Sequence, residues 1–256
     1  MIGAATPLAG DASQDPKGSH RDHRDRLYGR RKGRKLRAGQ QDRVDRILPS
    51  LTIPTPTEGA LLDPRALFAR PVEAVWLEIG FGGGEHLAAQ ATGHPQIGVI
   101  GCEVFETGIA TLLREVEMRA LDNVRIWPED ARRLLAHLPD ASLARIFLLF
   151  PDPWPKARHA QRRFVCRENL DVLARVLQDG GELRIASDDA GYIAWSLMHL
   201  RPHPDFAWTA RRPQDWQARP AGADDLWPET RYEAKALAAG RKPAYLRLKR
   251  RSRGNI

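Results

Sequence analysis

From Val72 onward the chain alternates between short apolar runs and longer stretches whose apolar residues recur at helical spacing. Val75–Ile79, Ile97–Cys102 and Ile146–Phe150 are apolar at nearly every position, as expected of strands covered on both faces of a parallel sheet. This pattern predicts strands near 73–79, 97–103, 124–128, 144–150 and 181–187, separated by helices near 84–92, 106–120, 131–138, 162–178 and 189–200. The character then changes. Residues 206–209 and 244–249 read as two further strands, with a helix-free loop over 211–228 and a helix over 230–239 between them. The expected fold is α/β and Rossmann-like, with helices on both faces of the sheet.

The first 71 residues do not share this alternation. Residues 1–45 hold few apolar positions and read as a basic arm, disordered on its own. Residues 46–71 read as linker and lead-in, extended over 49–56 with a short helix at 64–68, and 72–256 as the domain proper. Within the arm, Arg21–Arg37 interleaves many cations with Tyr28 and glycines, a composition suited to a phosphate backbone. The whole 256-residue chain carries a formal charge of +8, which points to an anionic partner. Cys102 and Cys166 form no metal or redox pattern, and reduced thiols are expected. No metal site is expected, since Pro202 interrupts the helix between His199 and His203. No apolar run approaches membrane-spanning length, and Met1–Gly10 lacks the features of a secretion signal, so a cytoplasmic protein is expected. Oligomeric state is not legible, with monomer and weak homodimer both open.

Candidate chemistry sits at the carboxyl ends of the strands, where open α/β sheets place ligands. The first strand runs into a glycine-rich turn and then a helix as Val75-Trp-Leu-Glu-Ile-Gly-Phe-Gly-Gly-Gly-Glu-His86. Gly80, Gly82 and Gly84 allow close backbone approach to a nucleotide, but Glu85 stands where a dinucleotide fingerprint has its third glycine. An acid there disfavours a pyrophosphate and tolerates a sulfonium cation, as does Glu78. Glu103, ending the second strand, can accept both ribose hydroxyls of a nucleoside. Asp130, after the third strand, can accept from an adenine amine, cap the next helix, or do both. The fourth strand runs into Phe150-Pro-Asp-Pro-Trp-Pro-Lys156, in which three prolines hold Asp152, Trp154 and Lys156 in a segment with few conformations to lose. Trp154 either stacks on a base or packs beneath the prolines. At the end of the fifth strand, one of Asp188 and Asp189 is expected to face the cleft and the other to cap a helix; Thr230 and Glu233 have capping-box spacing.

These strings, with Lys156–Phe164, Arg184–Asp189 and Glu229–Lys235, resemble the bacterial tRNA (guanine-N7)-methyltransferase family over roughly residues 30–249. The order and spacing of the strings carry the resemblance, the F-P-D-P-W-P-K string most of all. It implies a seven-stranded S-adenosylmethionine (SAM)-dependent methyltransferase fold with an antiparallel last strand. It also implies methyl transfer to N7 of guanosine 46 in the variable loop of tRNA. On that resemblance Glu78, Glu103, Asp130 and Asp152 line the cofactor and catalytic region, together with the turn glycines. Asp152 is the expected catalytic residue. Lys156, Asp188 and Thr230-Arg231-Tyr232-Glu233 are expected to bind substrate, with Arg158, Arg162 and Arg163 lining the RNA groove. Leu149 and Ala157 depart from the family pattern, which carries Asn and a second basic residue there. Two rival readings are a methyltransferase for an exocyclic amine and a non-catalytic RNA-binding protein; an NAD oxidoreductase is disfavoured by Glu85.

Overall fold

The computed structural model describes residues 31, 33, 35–220 and 226–254. Among them seven strands form one sheet in the order β3-β2-β1-β4-β5-β7-β6. The strands are β1 Ala74–Ile79, β2 Ile97–Cys102, β3 Val124–Trp127, β4 Leu143–Leu149, β5 Leu177–Ser187, β6 Phe206–Trp208 and β7 Ala244–Arg250. The first five pair parallel, and β7 runs antiparallel between β5 and β6. The strand order reverses between β1 and β4, so the crevice above their carboxyl ends is the topological switch point.

The helices are α1 Ala38–Leu51, α2 Glu85–Gly93, α3 Glu106–Arg119, α4 Ala131–His137, α5 Arg167–Val176, α6 Ala190–Leu200, α7 Gln214–Gln217 and α8 Arg231–Ala238. Strand alternation divides the core into two layers. Val75, Leu77, Ile79, Ile146 and Leu148 face one way, with α4, α5 and α6. Trp76, Val99, Phe147 and Leu149 face the other, with α1, α2 and α3. Glu78 shares the parity of Trp76 and therefore lies under α2.

The fold departs from the sequence expectation in three places. Residues 38–51, read as the end of the arm and an extended linker, form α1. Val44, Ile47, Leu48 and Leu51 make a helical stripe that packs on the second core layer. Arg43 and Arg46 both reach Glu117 of α3, at 2.8 and 2.6 Å. Pro49 is tolerated in the last turn of that helix. The helix expected from residue 162 starts at Arg167, because a 3-10 turn over Ala157–Arg162 and an open stretch precede it. The loop expected to be helix-free contains the short α7. Residues 1–30, which hold most of the expected basic arm, lie outside the described residues.

Candidate active site

The glycine turn is built from left-handed backbone. Gly80, Gly82 and Gly84 have φ of 70°, 57° and 78°, and Gly84 is the N-cap of α2. The Gly80 amide donates to the Cys102 carbonyl at 2.8 Å, tying the turn to the end of β2. The next residue, Glu103, closes the other side. Its Oε2 accepts from the Gly82 amide at 2.8 Å, and its Oε1 accepts from the amides of Val104 and Phe105 at 2.7 and 2.9 Å. Three backbone donors thus fix one carboxylate beside the turn.

Glu78 is almost wholly buried beneath it. Its Oε2 lies 2.7 Å from His86 Nδ1, and His86 Nε2 lies 3.0 Å from the Gln90 amide nitrogen, which also donates to the Leu226 carbonyl. With Nδ1–H donating to Glu78, Nε2 is left to accept from Gln90. Glu78 therefore supports the turn from below. Glu85 folds back over it: a Cβ added at Gly83 would stand 2.6 Å from Glu85 Oε1. Asp130 caps α4, accepting from the Arg132 amide at 3.0 Å, and pairs with the Arg132 guanidinium.

On the far side of the switch point β4 ends in the proline segment. Phe150 and Trp154, each followed by proline, have φ of 49° and 43°, a region uncommon for residues with a side chain. Both kinks flank Asp152, which projects as an exposed carboxylate, followed by the exposed Lys156 and Arg158. Trp154 is half-buried: the Arg162 guanidinium lies 4.9 Å from its ring centroid and His159 meets it edge-on at 5.8 Å. Loss of solvent contact and the neighbouring cations Arg162, Arg158 and Lys156 hold the His159 pKa below its ordinary value.

Arg163, expected in the RNA groove, turns inward instead. Its Nε donates to the Pro153 carbonyl at 2.9 Å and its Nη2 to that of Trp154 at 3.1 Å. Asp189 caps α6 through the Tyr192 amide at 2.7 Å, while Asp188 pairs with Arg241.

The start of α8 meets the glycine turn. A Cβ on Gly82 would come within 2.8 Å of the Tyr232 ring, and Arg231 lies 3.7 Å from Glu85. Arg231 and Tyr232 are exposed, but Thr230 and Glu233, also expected to bind substrate, are buried. Thr230 accepts from the Glu233 amide at 3.2 Å, half of the expected capping box. The Glu233 carboxylate completes the other half with nothing at the cap: its Oε1 accepts from Arg219 at 2.7 Å and from the Tyr245 hydroxyl. Burial and this carboxylate push the Tyr245 pKa up. These two residues hold α8 in place and leave its exposed face to Arg231 and Tyr232.

Sequence reasoning missed the roles of His86, Gly108, His159 and Trp195, of which His86 and His159 lay inside strings already singled out. Among the described residues no group of three His, Cys, Asp or Glu side chains could hold a metal ion, and no helix is long and apolar enough to cross a membrane.

The residues fit a nucleoside with a cationic sulfonium better than a dinucleotide. The Glu103 carboxylate, fixed beside the turn by three backbone amides, keeps lone pairs that could accept from hydroxyl donors, and the Glu85 carboxylate over Gly83 would oppose a pyrophosphate. A family model described as "Putative methyltransferase" matches residues 72–246. A tRNA (guanine-N(7)-)-methyltransferase of Rhodospirillum rubrum is 59% identical over 230 residues, 89% of each chain. Those of Paramagnetospirillum magneticum and Azorhizobium caulinodans are 52% and 49% identical, over 90% and 91% of this chain and 94% and 98% of theirs. Among solved structures, the 16S rRNA methyltransferase KamB is 14% identical with a TM-score of 0.49, over 73% of this chain and 91% of that one. On the family model and on relatives matched over nearly their whole length, the chain belongs to the tRNA (guanine-N(7)-)-methyltransferase family.

Proposed function

We propose that this protein methylates N7 of a guanosine in tRNA, that of position 46 in the variable loop, using SAM in the cytoplasm. The observation that carries the reading is the placement of Asp152. An exposed carboxylate between two left-handed kinks leaves β4 beside the glycine turn of β1, across the switch point. SAM, held by the turn glycines and by Glu103 and Asp130, supplies an electrophilic methyl on a sulfonium.

The rest of the chemistry asks little of the chain. Guanine N7 has an in-plane lone pair and is unprotonated at neutral pH, so no general base is required, only alignment and exclusion of water. Asp152 holds the guanine through its N–H edge and stabilises the positive charge that develops on the purine. Lys156 and Arg158, exposed directly after it, neutralise adjacent phosphates. Arg231 and Tyr232 face the same crevice from the opposite side and close over the turn. Arg162, stacked on Trp154, leaves that indole to shape the pocket wall beside the base. Asp188, paired with Arg241, orders the neighbouring end of β5. The test is Asp152→Ala with unmodified tRNA transcript, scoring 7-methylguanosine by borohydride–aniline cleavage. SAM affinity is expected to persist while methyl transfer falls by orders of magnitude; near-normal transfer would remove Asp152 from the reaction.

A further inference from the structure

We infer that Arg163 and Trp195 form a clamp that positions Asp152, a role distinct from the contact with RNA that the charge of Arg163 suggests. The inference rests on the proposed role of Asp152 in holding the guanine. The segment after β4 has an unusual backbone, since both Phe150 and Trp154 are left-handed and both precede proline. Such conformations persist only where surrounding structure over-determines them. Phe150 is held by its amide, which donates to the Ala186 carbonyl of β5 at 2.7 Å. The kink at Trp154 lies beyond the sheet and has no such ladder.

Arg163 supplies the missing restraint. Its Nε and Nη2 reach the consecutive carbonyls of Pro153 and Trp154, the two residues that follow Asp152. The planar fork matches two acceptors at once, which a single ammonium does not. The guanidinium in turn lies 4.8 Å from the ring centroid of Trp195 on α6. That indole is itself fixed, its Nε1 donating to the Val165 carbonyl at 2.6 Å. A chain of contacts therefore runs from α6 through an aromatic face and a guanidinium to the backbone that carries the carboxylate. Arg162, the adjacent residue, stacks on the Trp154 side chain from outside the segment, so consecutive arginines grip its side chain and its backbone.

A phosphate ligand and a clamp make different demands on residue 163. Full-length protein is assayed for single-turnover methyl transfer at saturating SAM and tRNA transcript, with tRNA affinity measured across salt and SAM affinity by calorimetry. For a clamp, Arg163→Lys and Arg163→Gln both slow the saturated rate about 100-fold, the scale of a small misplacement of a catalytic group. Neither then changes the SAM dissociation constant or the salt slope of tRNA binding. For a phosphate contact, Arg163→Lys is near normal, whereas Arg163→Gln weakens tRNA binding and flattens the salt slope by about one; that result overturns the inference. Trp195→Leu is expected to slow the saturated rate as Arg163→Lys does, Trp195→Phe to lose less, and the double variant Arg163→Lys/Trp195→Leu to be no slower than the slower single one. Multiplicative losses in the double variant would overturn the coupling. If the Arg163 variants do not accumulate folded, the Trp195 pair decides alone. A normal rate in Asp152→Asn sinks the reading beneath, whereas a slow Asp152→Asn with a normal Arg163→Lys sinks only the clamp.

Discussion

Gly108 offers a test of how tightly the cofactor turn is built, because the sign of its effect is opposite to the usual one. It lies in the first turn of α3, where glycine to alanine ordinarily stabilises a helix by about 0.5–1 kcal/mol. Here a Cβ would stand 2.1 Å from the Gly82 carbonyl oxygen, against a floor of 3.0 Å for real Cβ contacts. The obstacle is backbone on both sides, so α3 and the turn must separate by about 0.9 Å. Overpacking of this kind costs about 1–3 kcal/mol, which offsets the propensity gain and leaves a net loss centred on about 1 kcal/mol. The same displacement acts on function. The Gly82 amide donates to Glu103 at 2.8 Å, and moving it by that much takes the bond out of hydrogen-bonding range. Loss of one bond to a charged group is on the order of 1.5–3 kcal/mol, so SAM affinity is expected to fall at least about tenfold. Urea unfolding of the Gly108→Ala variant and calorimetric titration with SAM measure the two effects. Gly39→Ala on α1 is the internal control, since a Cβ there meets nothing within 4 Å and the substitution is expected to be neutral or stabilising. A Gly108→Ala protein as stable as the parent, with unchanged SAM affinity, would refute the close approach of turn and helix.

Glu103→Ala removes the acceptor shared by three backbone amides and is expected to weaken SAM binding by about 100-fold, or about 3 kcal/mol, in the same titration; an unchanged affinity would place the cofactor elsewhere. His203 is buried, accepts from the Asp205 amide at 3.2 Å and lies 3.1 Å from Asp171; burial, then Arg167, holds its pKa below the ordinary value. The unfolded chain therefore takes up that proton first as pH drops below about 6.5, and stability declines through that window. His203→Gln should flatten the decline in urea unfolding between pH 7 and pH 5.5, and an unchanged slope would exonerate the imidazole. Removal of residues 1–37, which contain the basic block Arg21–Arg37, is expected to weaken tRNA binding and flatten its salt slope while leaving SAM affinity alone; filter binding across salt checks the first and calorimetry the second.

The parallel sheet was legible because strands buried on both faces must be apolar throughout, and no other element of that length has the same demand. Strand ends at Glu103 and Asp152 followed from the same runs, since the first charge after each marks where burial stops. α1 was hidden by its own surface. Its apolar stripe of four residues is interleaved with as many charges, two of which pair with α3, and broken by a proline in its last turn, so local composition reads as arm. The joining of Tyr232 to Gly82 could not be read from spacing, because it depends on how the last strand returns beside β5. In all these cases pattern reports burial, and what it omits is the identity of the partner.

The arginines make the point most sharply, because the net positive charge invites every cation near the proline segment to be assigned to RNA. Arg158 and Lys156 are exposed there and free to meet phosphates, whereas Arg163, within seven residues of both, spends two donors on backbone carbonyls. What separates them is the 3-10 turn over Ala157–Arg162, which follows Lys156 and carries the chain back so that residue 163 lies under the prolines. Part-buried carbonyls in a segment outside the sheet need donors, and the Arg163 guanidinium, brought back by that turn, serves two of them. A rigid acid at a strand end thus creates a demand for a cation that has nothing to do with the substrate. Charge counts taken from sequence overstate the RNA surface by the number of arginines answering such demands.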